Sequence, residues 1–212
     1  MYIFNTYWES ESAGPSPHMN QRVELFLQGC SKGRSGNPCQ GCFNQELWTV
    51  KSSAKNLTPQ HIANQIIKHA PNKYITIVGG EPTDQMEELI ELCNILKTHD
   101  FHIMVFTHRS LHTDFPFLKN LLTEIDILVD GQYLAEEHIF NDQFDNGFHN
   151  AVGSGNQIIW DIREYNKTGK LCGYAAKHIE TLFIKPNNDL VYLINCPHEV
   201  PEKINEAIKE AS

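Results

Sequence analysis

The sequence predicts an α/β protein whose sheet is built mainly from parallel strands with crossover helices and ends in a C-terminal hairpin. Three observations predict it. Short apolar runs recur between segments of helical periodicity, as expected when each strand is followed by a helix that carries the chain back to the same end of the sheet. The turn-former cluster Asn187-Asn188-Asp189 separates "TLFIK" from "LVYLI", which suits a hairpin better than another crossover. Finally, 212 residues of which 41% are hydrophobic are enough for a sizeable core, with one domain over 1–212 as the simplest division.

In chain order, the strand expectations are Val23 to Gln28, Tyr74 to Val78, His102 to Thr107, Ile125 to Val129, Gln157 to Ile162 and Thr181 to Ile184. Between the first two, Thr58-Pro59 supplies an N-cap followed by proline at the first helical position, and Ile62, Ala63, Ile66 and Ile67 recur at helical spacing. A second helix is expected from about Asp84 to Lys97, with Met86, Leu89, Ile90, Cys93 and Leu96 as its apolar stripe. Cys93 is thereby a small core residue. No internal repeat or low-complexity tract is visible.

Composition narrows the function. The net charge of -9, from 17 basic and 26 acidic residues, gives no basis for general nucleic-acid binding, which needs clustered Lys and Arg. No run of apolar residues is long enough to span a membrane, and "MYIFNTYWESESAG" lacks the succession of a signal peptide, so a cytoplasmic location is expected. In that setting six cysteines point to metal or redox chemistry rather than a disulfide framework.

Three of those cysteines, Cys30, Cys39 and Cys42, follow an apolar strand in a loop that also contains Gly29, Gly33, Gly36, Pro38 and Gly41. Thiolate sulphur suits cluster iron, glycines let backbone N–H groups turn toward cluster sulphurs, and Lys32 and Arg34 offset negative charge. Three thiolates leave one iron of a cubane open, the mark of a reactive metal site. The cysteines alone also fit a zinc knuckle completed by His18, Cys172 or Cys196.

"KYITIVGGEPTDQ" reads as a buried strand ending in Gly79-Gly80-Glu81-Pro82 before a helix. Ligands of α/β sheets bind at the carboxyl ends of strands, where glycines allow close approach and a fixed carboxylate or carbonyl can receive an ammonium group. Thr107 and Asp130-Gly131 close two further apolar runs and are candidates for the same edge, although each is equally explained as a cap or Asx turn. His99, His102 and His108 show no metal-ligand pairing on a helix face and read as surface or loop residues.

These residues resemble the radical S-adenosylmethionine activating proteins of glycyl-radical enzymes, most closely the anaerobic ribonucleotide reductase activating family. Gly14-Pro15 with Arg22, "LFLQGC", "CQGCFN", "GGEPTDQ", "ILVDGQY", "GSGNQ" and "NCPHEV" occur in that family's order over nearly the whole chain. There are two departures: eight residues separate Cys30 from Cys39, more than the family usually has, and Val152 stands where an arginine often precedes the late Gly-Ser.

The resemblance implies a partial (open) parallel (β/α) barrel. It also implies a 4Fe-4S cluster on Cys30, Cys39 and Cys42 whose open iron takes S-adenosylmethionine, reductively cleaved to a deoxyadenosyl radical. Gly79, Gly80, Glu81 and Pro82 would hold the amine end. Phe43 and Asn44 would meet the adenine, with Gly41, Thr107, Asp130, Asn156 and Gln157 completing the binding set. No side chain need act as a catalytic acid or base. The implied partner is a glycyl-radical enzyme, the large subunit of anaerobic ribonucleotide reductase, with flavodoxin or ferredoxin as electron donor. The alternatives are a small radical enzyme acting on a metabolite or ribosomal peptide, and a zinc-binding or electron-carrying protein.

Overall fold

The structure, a computed structural model, describes residues 1–10, 16, 21–138, 152–174, 179–184 and 190–195, the last two segments as backbone strands. The strands are β1 (Ile3–Ser10), β2 (Arg22–Leu27), β3 (Tyr74–Gly79), β4 (His102–Phe106), β5 (Ile127–Asp130), β6 (Ile158–Asp161), β7 (Lys170–Tyr174), β8 (Ile179–Ile184) and β9 (Leu190–Asn195). The helices are α1 (Ser31–Arg34), α2 (Pro59–His69), α3 (Met86–Lys97), α4 (Leu111–Leu122) and α5 (Ile162–Thr168). None of the described helices is long and apolar enough to cross a membrane.

The nine strands form one open sheet in sequence order, β1 to β9. Strands β2, β3, β4 and β5 are parallel, joined by crossovers that contain α2, α3 and α4. Every other neighbouring pair is antiparallel, so the sheet is more mixed than the sequence suggests. For β6 and β7 the reason is visible in their connection. The seven-residue α5 begins directly at Ile162 and ends at the left-handed Gly169, too short to carry the chain back along a strand for a parallel return. The antiparallel β8–β9 pair is the expected hairpin, with its Asn187-Asn188-Asp189 turn outside the described residues.

Local signals explain most boundaries. The Thr58 hydroxyl accepts from the His61 N–H at 3.2 Å with Pro59 at the first helical position, as read from the sequence. Helix α3 starts later than Asp84 because Pro82–Gln85 forms a 3-10 turn ahead of it. Helix α4 has no such clear sequence signature, since Pro116 lies inside it; the Ser110 hydroxyl caps it by accepting from the His112 N–H.

Strand alternation divides the buried side chains between two faces. On the helix side, Val23, Leu25, Leu27, Ile75, Ile77, Ile103 and Val105 pack with the apolar stripes of α2, α3 and α4, each fully buried Leu or Ile contributing roughly 1.5–3 kcal/mol. Cys93 is fully buried in this layer, together with Leu92, and burial pushes its thiol pKa far up. On the other face Met104, Ile127, Val129 and Ile159 form a second cluster with Phe106 and Tyr174.

At the amino ends of the parallel strands the fully buried Arg22 donates from Nε to Thr76 Oγ1 at 2.7 Å and from Nη2 to the Ile75 carbonyl at 2.6 Å. His102, stacked on Tyr74, sits beside the guanidinium, with Nδ1 3.4 Å from Nη1. Burial and Arg22 lower the His102 pKa to about 4, so the folded protein keeps the ring neutral where the unfolded chain protonates it. Stability is therefore lost as pH falls from about 6.5 towards 4, roughly 2 kcal/mol by pH 5 from this group. Urea titrations at pH 7 and pH 5 are expected to show a smaller drop for His102→Gln than for the wild type.

Candidate metal and cofactor site

At the carboxyl end of β2 the chain turns through Gly29 into Cys30, which is buried and caps α1: its Sγ accepts from the Gly33 N–H at 3.2 Å. The long interval before Cys39 thus includes one helical turn started by the first cysteine. Cys39 and Cys42 follow, and both line a cavity of about 480 Å³ together with Cys30. Trp48 lies close to Gly33 and donates its indole N–H to Cys42 Sγ at 3.4 Å. Burial pushes the free thiols of Cys30 and Cys39 up, opposed by backbone hydrogen bonds from Gly33 and Tyr133 respectively.

The glycine pair after β3 is bonded directly to this loop. Gly80 N–H donates to the Leu27 carbonyl at 2.9 Å and Glu81 N–H to the Gly29 carbonyl at 2.7 Å. A Cβ on Gly80 would overlap the Gly29 carbonyl, and Gly79 has φ +123°, so both positions require glycine. Glu81 is 1% exposed, and its carboxylate accepts from Thr83 N–H (3.0 Å), Thr83 Oγ1 (2.5 Å), Thr107 Oγ1 (2.8 Å) and His108 N–H (2.9 Å). That side chain ties the ends of β3 and β4 together.

Of the residues expected from the sequence, Cys30, Cys39, Cys42, Phe43, Asn44, Gly79, Gly80, Glu81, Pro82, Thr107 and Gln157 all line the one cavity. Phe43 is 72% exposed and its ring centroid is 5.0 Å from that of Tyr133. Gln157 Oε1 accepts from Gly153 N–H at 2.9 Å and its Nε2 donates to the Gly131 carbonyl at 3.1 Å, shaping the wall.

Three expected residues are not among the lining residues. Gly41 packs against Ala135 and Tyr133, joining the cysteine loop to the segment after β5. Asn156 donates to the Gln132 carbonyl at 2.8 Å. Asp130 is buried and accepts from the Leu111 N–H at 2.6 Å, anchoring the start of α4.

The cavity also contains residues the sequence reading passed over: Glu24, Phe26, Trp48, Phe106, His108 and Tyr133. A charged residue inside the apolar run "VELFL" was the available signal for Glu24. Of the histidines read as surface or loop, His99 is exposed, but His102 is half-buried in β4 and His108 lines the cavity, 3.7 Å from Glu81. The sheet edge, invisible in spacing alone, brings His108 inward.

The donor set fits an iron–sulphur cluster. The three thiols line one cavity, and two of their sulphurs already accept N–H donors. Zinc needs donors about 2.0–2.3 Å from a single point, whereas a cluster takes thiolates spread round its corners and N–H donors aimed at sulphur, as Gly33 and Trp48 provide here. Cys172 lies on β7 away from the cavity lining, and His18 and Cys196 are outside the described residues.

Comparison with known proteins agrees. The family described as "4Fe-4S single cluster domain" matches residues 19–160. The pyruvate formate-lyase-activating enzyme of Staphylococcus epidermidis is 28% identical over 138 residues, 63% of this chain and 53% of that protein. The anaerobic ribonucleoside-triphosphate reductase-activating protein of Vibrio cholerae is 28% identical over 145 residues, 65% of this chain and 86% of that protein. The match thus spans about half the length of the first relative and most of the second. The cysteine loop, the glycine pair bonded to it and the family match over two thirds of the sequence lead to one conclusion: the chain belongs to the 4Fe-4S single cluster domain family within the radical S-adenosylmethionine superfamily, and its resident groups are a 4Fe-4S cluster and S-adenosylmethionine.

Proposed function

We propose that this chain is an activase that generates a glycyl radical on a partner enzyme, with anaerobic ribonucleotide reductase as that partner. The observation that carries the reading is the cavity at the carboxyl ends of the parallel strands, lined by the three cysteines and Gly79-Gly80, with Gly80 and Glu81 bonded to the residues leading into Cys30. The reductase is favoured over pyruvate formate-lyase because the match covers 86% of the reductase-activating relative and 53% of the lyase-activating one. The four parallel strands are read as part of an open barrel, residues 1–212 as one domain, and flavodoxin or ferredoxin as the electron donor.

In this reading Cys30, Cys39 and Cys42 bind the cluster, and the Gly33 and Trp48 N–H groups orient and partly neutralise the thiolates. When bound, the cluster and S-adenosylmethionine supply the reductive cleavage of a sulphonium and the hydrogen-atom abstraction that follows. The protein's own task is placement. Gly79, Gly80 and the adjoining backbone would receive the amine end, and Pro82 fixes the turn after them. Glu81 acts through Thr107 and His108 by locking β3 to β4, since four donors already occupy its carboxylate. Phe43 and Asn44 would meet the adenine, while Gly41, Asn156, Gln157 and, through α4, Asp130 set the shape of the wall. Phe26, Val78 and Phe106 exclude water from the reacting end.

Anaerobic reconstitution is expected to yield about four irons and four sulphides per chain, with reductive cleavage of S-adenosylmethionine. Mixing with purified anaerobic ribonucleotide reductase should produce the electron paramagnetic resonance signal of a glycyl radical; mixing with pyruvate formate-lyase should not. One zinc per chain with no cleavage overturns the enzymatic reading. Cleavage without a protein radical on either partner transfers the chain to the radical enzymes of small metabolites and peptides.

A further inference from the structure

We infer that Glu24 is a specificity-determining residue at the substrate end of the cavity, where its carboxylate receives a lysine or arginine side chain from the glycine-bearing segment of the partner. The inference rests on the activase reading and deepens it. Glu24 interrupts β2, whose Val23, Leu25 and Leu27 are fully buried on the helix side; the alternate residues Glu24 and Phe26 line the cavity instead. Glu24 pairs with Thr76 and Phe26 with Val78, so the carboxyl lies beyond an apolar band formed by Phe26, Val78 and Phe106. At the rise of a strand it is about 10 Å along β2 from Leu27. It shares the cavity of Cys30 and Gly80 without standing at their level.

Among the described residues Glu24 has one hydrogen bond, from Ser10 Oγ to Oε2 at 2.9 Å, and no ion pair. The nearest cation in sequence, Arg22, directs its guanidinium to Thr76, Ile75 and His102 instead. Burial raises the Glu24 pKa, opposed only by the Ser10 bond. Among the described residues no cation meets this half-buried carboxyl, so its acceptor positions toward the cavity are open to a cationic ligand. A main-chain amide offers a dipole, whereas a lysine or arginine neutralises the full charge and has the reach to pass the aromatic band. The chain's net charge of -9 suits a basic incoming segment.

The test uses the full chain, anaerobically reconstituted and supplied with S-adenosylmethionine, and short fluorescent peptides with a central α-deuterated glycine. In each pair of peptides one flanking position carries either lysine or norleucine, and that position is moved along both sides in turn. At one position lysine is expected to bind about tenfold more tightly by anisotropy, the size of a charge-assisted contact. Glu24→Gln, which keeps the shape and can still accept from Ser10, should remove that preference, and Glu24→Lys should transfer it to a glutamate peptide. Lack of a lysine preference at every position, or its persistence in Glu24→Gln, overturns the inference. Deuterium transfer to the cofactor product separates the two claims: transfer without charge preference leaves the activase reading standing and removes Glu24 from recognition. Absence of both binding and transfer overturns the activase reading and this inference with it.

Discussion

Alanine at Cys30, Cys39 or Cys42 is expected to abolish cluster assembly and S-adenosylmethionine cleavage, while the chain itself still folds. Each side chain lines the cavity, and none belongs to the helix-side core that stabilises the sheet. Iron content and the visible absorption of the reconstituted protein check assembly, circular dichroism checks the fold, and deoxyadenosine release checks cleavage. Cys93→Ala is the contrasting variant. Cys93 is fully buried between α3 and the sheet, so its loss costs packing, about 1–2 kcal/mol in a urea titration, with iron content and cleavage unchanged. Full iron loading of Cys30→Ala would remove that residue from the ligand set.

Gly80→Ala is expected to damage both the fold and the site, although Gly80 supplies no thiol. Its Cβ would overlap the Gly29 carbonyl oxygen and carbon and lie 3.0 Å from the Leu47 carbonyl, all backbone atoms that cannot rotate away. The Gly80–Leu27 and Glu81–Gly29 hydrogen bonds would have to open, separating the cysteine loop from the strand end. A loss of about 3 kcal/mol in folding stability is expected, with binding of S-adenosylmethionine lost even in the fraction that folds and assembles a cluster. Gly36→Ala provides the comparison. A Cβ there meets nothing within 4 Å, so only the strain of φ +81° remains, about 1 kcal/mol, and cofactor binding should persist. Equal behaviour of the two variants in equilibrium dialysis would show that contact between the loops does not govern the site.

Much of the architecture was legible because its signals are local. Thr58-Pro59 and the Ile62–Ile66 spacing announce α2, and the apolar runs from Val23, Tyr74, His102 and Ile125 announce the four parallel strands, the last of which starts at Ile127. Helix α4 was obscured by Pro116, β1 by polar alternation at the edge of the sheet, and β7 by its brevity and Gly173. The mixed pairing beyond β5 could not be read, because strand direction depends on the path of the connecting segments, a property of three dimensions rather than of residue type.

The sequence by itself determined the candidate donors of this protein: three thiols in a glycine-bearing loop and a Gly-Gly-Glu-Pro turn are set by residue type and short-range spacing. Tertiary structure alone decided how those residues divide the work. Glu81 and Asp130 are both carboxylates at strand ends, yet burial turns the first into a tie between β3 and β4 and the second into an anchor for α4. Glu24, an unremarked residue in an apolar run, becomes a half-buried carboxyl on the cavity wall because β2 alternates its faces and β3 places Val78 beside Phe26. Chemical identity is written along the chain, whereas burial and the choice of hydrogen-bond partner arise only when distant segments meet.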